Sequence, residues 1–255
     1  MNNLNKLLSN MIFKIARYLE KVAFYAQGKG YGSATIKQEN KLVHQFLKKT
    51  PILAVDIGGN IGEYSAELRR LNPSLEIHIF EPSSVNIDKL KARFGEDEGI
   101  NVLPYAVSGS EGSATLFSNR AGSPLGSLTK RKIDHHNIEF NHQETINTIR
   151  FEDYWNNHLK KRNIDIVKID IEGHELSALE GFGEALLNSR VIQFEFGGCN
   201  IDTRTFFQDF WNFFRDKNFE IYRITPFGAE EINIYREYDE FFSTVNYIAV
   251  NKKYK

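Results

Sequence analysis

The chain has 255 residues, a hydrophobic fraction of 41% and a charged fraction of 25%, which excludes a disordered or fibrous bulk and leaves ample length for a large core. Lys and Arg number 32 against 33 Asp and Glu, for a net charge of −1, so a global electrostatic grip on nucleic acid is excluded. A single cysteine, Cys199, rules out an intramolecular disulfide and suits a reducing compartment. The longest stretch free of charge, Gly99–Ser110, is 12 residues, too short to span a membrane. Lys6, Lys14, Arg17 and Lys21 interrupt any apolar leader segment, so a cytoplasmic protein is expected.

Residues 1–26 carry Leu4, Leu7, Leu8, Met11, Ile12, Ile15 and Leu19 at helical spacing. The same stretch is basic. Such a helix caps a core, joins two subunits or lies on an anionic membrane surface. Residues 27–34 (QGKGYGSA) predict a hinge, and a second helix follows to about Lys49, so residues 1–49 form a helical N-terminal extension. A change of texture at Pro51 opens the main domain, residues 50–255. There, strands at 52–57, 76–80 and 100–107 alternate with helices at 61–71 and 84–94. That alternation predicts right-handed βαβ units and a parallel sheet. Residues 108–150 interrupt the pattern as an insertion or lid, with exposed antiparallel strands at 113–117 and 145–150. The alternation resumes with a helix at 151–161, a strand at 164–171, a helix at about 173–187 and a strand at 191–196. A helix at 202–217 and strands at 219–225 and 245–251 complete the chain, the last strand antiparallel. The fold class is α/β, a Rossmann-like doubly wound sheet. The aromatic stripe Phe206, Phe207, Phe210, Trp211, Phe213, Phe214 reads as core.

The sharpest local signal is VDIGGNIGEYS at 55–65, a glycine turn between a strand and a helix. Gly58 and Gly59 permit a tight turn, and Gly62 permits close packing. The dinucleotide pattern G-x-G-x-x-G fails, because from Gly58 its later glycines fall on Asn60 and Glu63. The phosphate-loop pattern also fails, since no lysine follows. Asp56 and Glu63 flank the turn and would repel a pyrophosphate. They suit a cationic ligand without phosphate, such as S-adenosylmethionine. Nineteen residues past Gly62 stands Glu81, at a strand end, where a carboxylate can accept both hydroxyls of a ribose.

These motifs resemble the FkbM family of class I, Rossmann-like S-adenosylmethionine-dependent methyltransferases. VDIGGNIGEYS is similar to the family's first motif, FEPSS (80–84) to its second and AVSGSEG (106–112) to the segment after the third strand. VKIDIEGHELSALEG (167–181) resembles its most distinctive run, Lys-x-Asp-x-Glu-Gly-x-Glu leading into a helix. The resemblance covers about residues 50–252 and implies methyl transfer, usually to a hydroxyl of a sugar, glycan or natural product. By matching positions it implies that Asp56, Gly58, Asn60 and Gly62 line the methionine part, Glu81 holds the ribose and Ala106 and Val107 lie near the adenine. Asp170 then faces both the methyl group and the acceptor. His174 departs from the family pattern, where a small residue is commoner.

A sugar hydroxyl needs a base or a metal to become a nucleophile. Asp170, Glu172 and His174 are the candidate catalytic residues, with Asp170 favoured because strand ends form the site in such sheets. Asp170 and Glu172 share a face on an extended strand. Glu175 suits a cap in the first helical turn. Glu195 is another strand-end carboxylate able to bind acceptor hydroxyls. Asp170, Glu172 and one of His135, His136 or His142 would offer oxygen and nitrogen ligands to a divalent metal, but no ligand-spacing motif specifies one. Those three histidines can also contact substrate or act as base. The expected activity is O-methyl transfer from S-adenosylmethionine to a saccharide or small molecule. The rivals are a nitrogen or carbon acceptor, a dinucleotide-binding dehydrogenase and a non-catalytic binding module.

Overall fold

The run Leu53–Ile57 (β1) is buried at every position, as a strand must be when both faces of its sheet are covered. The computed structural model describes residues 3–32 and 35–255. Met1, Asn2, Ser33 and Ala34, which the periodicity assigns to the first helix and the hinge, lie outside the described residues. Helices α1 (Asn3–Ala26) and α2 (Ile36–Gln45) precede β1. After it come α3 (Glu63–Leu71), β2 (Glu76–Phe80), α4 (Ser84–Phe94), β3 (Ile100–Leu103) and β4 (Ala106–Val107). The chain continues through β5 (Gly112–Ser118), β6 (His142–Ile149), α5 (Phe151–Asn157), β7 (Ile164–Ile169), α6 (Glu175–Glu180) and α7 (Glu184–Leu187). It ends with β8 (Ser189–Phe196), α8 (Cys199–Thr203), α9 (Phe207–Asp216), β9 (Phe219–Thr225), β10 (Gly228–Glu231) and β11 (Val245–Asn251).

The main sheet runs β10-β9-β11-β8-β7-β1-β2-β3. β1 pairs parallel with both β2 and β7, with Asp56 opposite Ile79 on one side and Lys168 on the other. The order therefore departs in both directions from β1, and the crevice at its carboxyl end is where such sheets take ligands. The antiparallel strand β11 is inserted between β8 and β9, inside the sheet. β10, unforeseen in the long connection after Pro226, is a hairpin partner of β9.

Each face carries its own apolar layer. On one, Phe151, Trp155, Phe182, Phe194, Phe207, Phe210 and Phe214 are buried under α5–α7 and α9. Their rings stack, Phe194 lying 5.0 Å from Phe210 between centroids, so the aromatic stripe is core. On the other, Leu42, Val43, Leu68 and Leu90 pack under α2–α4. Burial of such a side chain contributes about 1.5–3 kcal/mol.

Several elements are shorter than the periodicity suggests. The strand expected over 100–107 divides at Pro104, which has no N–H for the ladder; β3 joins the main sheet and β4 a small sheet ordered β4-β6-β5. The helix expected over 202–217 breaks at Arg204, in left-handed conformation, before Glu240 accepts from Phe207 N and Gln208 N to start α9. The helix expected over 173–187 divides at Gly183, whose φ is +48°.

Candidate active site

The cavity at the carboxyl ends of β1, β2 and β7 encloses about 710 Å³, part of it open to solvent. The glycine turn forms its floor. Gly58 N and Gly59 N both donate to Phe80 O, at 2.8 and 3.1 Å, and Asp170 N donates to Ile57 O at 3.0 Å, so three strand ends are tied together. Gly58 has φ +82°, and a Cβ there would lie 2.0 Å from Asp170 O. No other residue fits that position. Asn60, at φ +47°, turns its N–H to Glu81 Oε2 at 2.9 Å.

Glu81 closes one end. Its Oε1 accepts from Ser83 N at 3.0 Å and from Asn86 Nδ2 at 3.4 Å. Burial pushes its carboxyl up to about 7, against the pull of these N–H donors. Asn60 Oδ1, Ser83 Oγ and Asn86 Oδ1 are buried without hydrogen-bond partners, and all three residues line the cavity. Orphaned acceptors around a carboxylate are a cradle for a ligand that donates hydrogen bonds. Ala106, Val107 and Tyr105 line the same wall.

Asp170 stands across the cavity. Its Oδ2 lies 3.3 Å from Lys168 Nζ. Burial works against the Lys168 ammonium, but the carboxylates of Asp170, Glu39 and Glu195 outweigh it and hold its proton more tightly than usual. Lys168 donates to Asn246 Oδ1 at 2.9 Å, and Glu39 accepts from Gln193 Nε2 at 2.6 Å and Asn246 Nδ2 at 3.3 Å. A buried polar lattice thus runs from α2 beneath the sheet to Asp170.

Glu172 and His174 both line the cavity, each tied to the segment between β5 and β6. Glu172, at φ +55°, accepts from Arg131 at 2.5 Å, and its carbonyl accepts from Ser127 Oγ at 2.8 Å. Burial and the neighbouring Asp170 push its carboxyl up to about 8, against the pull of Arg131. His174 Nε2 lies 3.0 Å from Thr129 Oγ1, and burial lowers its pKa. Glu175 Oε1 accepts from Ile171 N and Gly173 N, at 3.0 and 3.1 Å, and so shapes the loop before α6. Gly122, Ser123, Pro124 and Gly126 form the remaining wall.

Residues 56–221 match the family described as "Methyltransferase FkbM domain". The chain belongs to the FkbM methyltransferase family. It is 23% identical over 186 residues to the 2-O-methyltransferase NoeI of Sinorhizobium fredii, a match covering 69% of this chain and 76% of that one. It is 28% identical over 155 residues to methyltransferase sdnD of Sordaria araneosa, covering 51% of this chain and 60% of that one. The crystal structure of an FkbM methyltransferase from Methylobacillus flagellatus aligns at 18% identity and a TM-score of 0.48. That alignment covers 78% of this chain but only 43% of the other, so this chain spans less than half its length.

Not every candidate residue reaches the FkbM cavity. Gly58, Asn60, Glu81, Ala106, Val107, Asp170, Glu172 and His174 line it; Asp56 and Gly62 do not. Asp56 is buried behind the turn, where its Oδ2 accepts from Ser65 Oγ at 2.6 Å and burial pushes its carboxyl up to about 6. Gly62 starts α3, and a Cβ there would lie 2.3 Å from Phe94 Cε2, so its role is helix packing. Glu195 is buried, and desolvation with the neighbouring Asp170 and Glu172 raises its pKa against the pull of Lys168, but it lies outside the lining. His135 and His136 pack against each other with tilted rings, His142 contacts Ser118 Oγ, and none of the three lines the cavity with Asp170 and Glu172. Among the described residues no group of three or more His, Cys, Asp and Glu side chains is placed to hold a metal ion. Arg131, Thr129 and Glu39 carried no signal in the sequence, being joined to the site only by long-range packing, whereas Ser83, inside FEPSS, and Asn86, one turn into α4, lie two and five residues from Glu81.

Proposed function

We propose that this FkbM methyltransferase takes its methyl group from S-adenosylmethionine and transfers it to a hydroxyl oxygen of a small-molecule or saccharide acceptor. The observation carrying this reading is the pairing, across one cavity, of the Glu81 cradle with the exposed carboxylate of Asp170. Glu81, with Ser83 and Asn86 beside it, would hold the ribose by accepting from its hydroxyls. Gly58, whose missing Cβ lets the end of β7 close up against the turn, would present its backbone in the cavity lining to the amino-acid part. S-adenosylmethionine supplies a methyl carbon made electrophilic by its sulfonium. Asp170, fixed by Lys168, would orient the acceptor hydroxyl in line with that carbon and take its proton. An oxygen acceptor is supported by the similarity to a 2-O-methyltransferase.

The test is calorimetric titration with S-adenosylhomocysteine, beside NAD. Binding of the first and not the second is expected, with Glu81→Ala weakening it at least tenfold and Asp170→Asn sparing it. Absence of binding by the full chain would overturn the cofactor assignment. Loss of binding in Asp170→Asn would remove Asp170 from the acceptor side.

A further inference from the structure

Helix α1 does not cover the core. Among its residues from Lys6 onward only Ser9, Phe24 and Ala26 are less than exposed, and none joins either apolar layer. At 100° per residue, Leu8, Met11, Ile12, Ile15, Leu19 and Val22 fall on one face, each more than half exposed. Lys14 and Lys21 border that face beside Tyr18 and Tyr25, while Lys6 and Arg17 stand further round. The single acid, Glu20, lies on the far side.

We propose that α1 binds flat on an anionic lipid surface. The helix has 24 residues, about 36 Å of length, with a continuous apolar stripe for the acyl boundary. Tyrosines and lysines at the stripe's edge are the groups that settle at headgroup level, rings inward and ammonium groups outward. No helix among the described residues is long and apolar enough to cross a membrane, so the stripe lies along the surface. Charge decides between lipid and a second copy of the chain. Two such helices packed stripe to stripe would set the Lys14 and Lys21 flank against itself when antiparallel and against the uncharged flank of Ala16 and Ala23 when parallel, with no acidic flank to pair it in either case. Anionic headgroups supply the missing complement.

The attachment of α1 gives the contact a consequence. Phe24 packs edge-on to Phe241, with centroids 5.7 Å apart, and Gly28 abuts Thr225 at the carboxyl end of β9. Gly32 abuts Thr244, which abuts Gly197 just past β8. The helix is therefore rooted at the edge of the sheet where the cavity also opens, and the contact would hold that edge toward the lipid.

The test is co-sedimentation of the full chain with phosphatidylcholine vesicles, with and without phosphatidylglycerol. Binding is expected to the anionic vesicles, weakened at least tenfold by Lys14→Gln with Lys21→Gln, since each charge near such a surface is worth a several-fold change. Ile12→Glu with Leu19→Glu is expected to abolish it, while thermal unfolding stays within the wild-type range because these side chains touch no core. Binding that persists in that variant would overturn the proposal. So would an unbound chain that light scattering shows as a dimer, split to monomers by the same variant: the second copy would then be the occupant.

Discussion

Glu81 is buried and accepts hydrogen bonds through both oxygens. Its folded pKa is raised to about 7, from 4.5 for the free side chain. Between those values the folded protein holds a proton that the unfolded chain has released. Its contribution to stability is therefore full below the unfolded pKa and falls as pH rises, levelling above about 7. The fall amounts to about 3 kcal/mol at 1.36 kcal/mol per pH unit. Glu81→Gln removes it. In urea unfolding across this range, the wild-type stability minus that of the variant is expected to drop by about that amount as pH rises; a flat difference would return the carboxyl to its ordinary value. Ligand affinity should move the opposite way, because the ionised carboxylate is the better acceptor for ribose hydroxyls. Gly58 makes the complementary case for backbone. Gly58→Ala must bear a positive φ and a Cβ 2.0 Å from Asp170 O, so it is expected to cost more than the about 1–3 kcal/mol of backbone strain alone, measured by the same unfolding curves.

The Asp170 carboxylate depends on elements far from it in sequence. Glu39 on α2 reaches Gln193 on β8 and Asn246 on β11, and through them steadies Lys168 and Asp170. Glu39→Gln keeps the shape and removes the charge. It is expected to slow methyl transfer several-fold with the Kd for S-adenosylhomocysteine unchanged, in parallel kinetic and calorimetric assays. The segment after β5 is held in the same distributed way, by Arg131 on Glu172 and Asp202 and by Ser127 on the Glu172 carbonyl. Arg131→Met removes two of these ties, and hydrogen exchange at residues 119–133 is expected to accelerate while the main sheet keeps its protection. The contrast explains what the sequence disclosed. Alternating strands and helices and the glycine turn are local patterns, so the sheet, the turn and Glu81 could be read from them. Pro104 was equally visible, yet its division of one strand between two sheets depends on β6 arriving from elsewhere. Asp56 has the right residue type at the right spacing, but its burial and its hydrogen bond from Ser65 Oγ leave no local trace. Partnerships such as Glu39 with Gln193, 154 residues apart, leave no local trace.

The whole molecule divides differently from the family match. That match begins at residue 56, yet α2, which precedes it, is part of the folded body. Leu42 and Val43 are buried in the same layer as Leu68 and Leu90, and Glu39 is 3% exposed among the buried polar groups beneath Asp170. Helix α1 is the reverse case, with neither core contact nor a tie to the cavity. Two truncations separate these roles. A chain begun at Gln27 keeps every one of these contacts. Its unfolding free energy is expected within about 1 kcal/mol of the full chain, a Tm change of about 2–4 °C for a protein of this size. Calorimetry measures this, and S-adenosylhomocysteine affinity should be unchanged. A chain begun at Thr50 loses Leu42 and Val43 and leaves Lys168, Gln193 and Asn246 without Glu39. Two emptied core positions at about 2–5 kcal/mol for the Leu, and less for the Val, added to buried amides of Gln193 and Asn246 left without their acceptor, amount to much of a domain's total stability. The expected outcome is a chain that fails to unfold cooperatively and binds no cofactor. Cooperative unfolding of that shorter chain, with binding intact, would instead set the boundary of the methyltransferase unit at β1 and make α2 an accessory like α1.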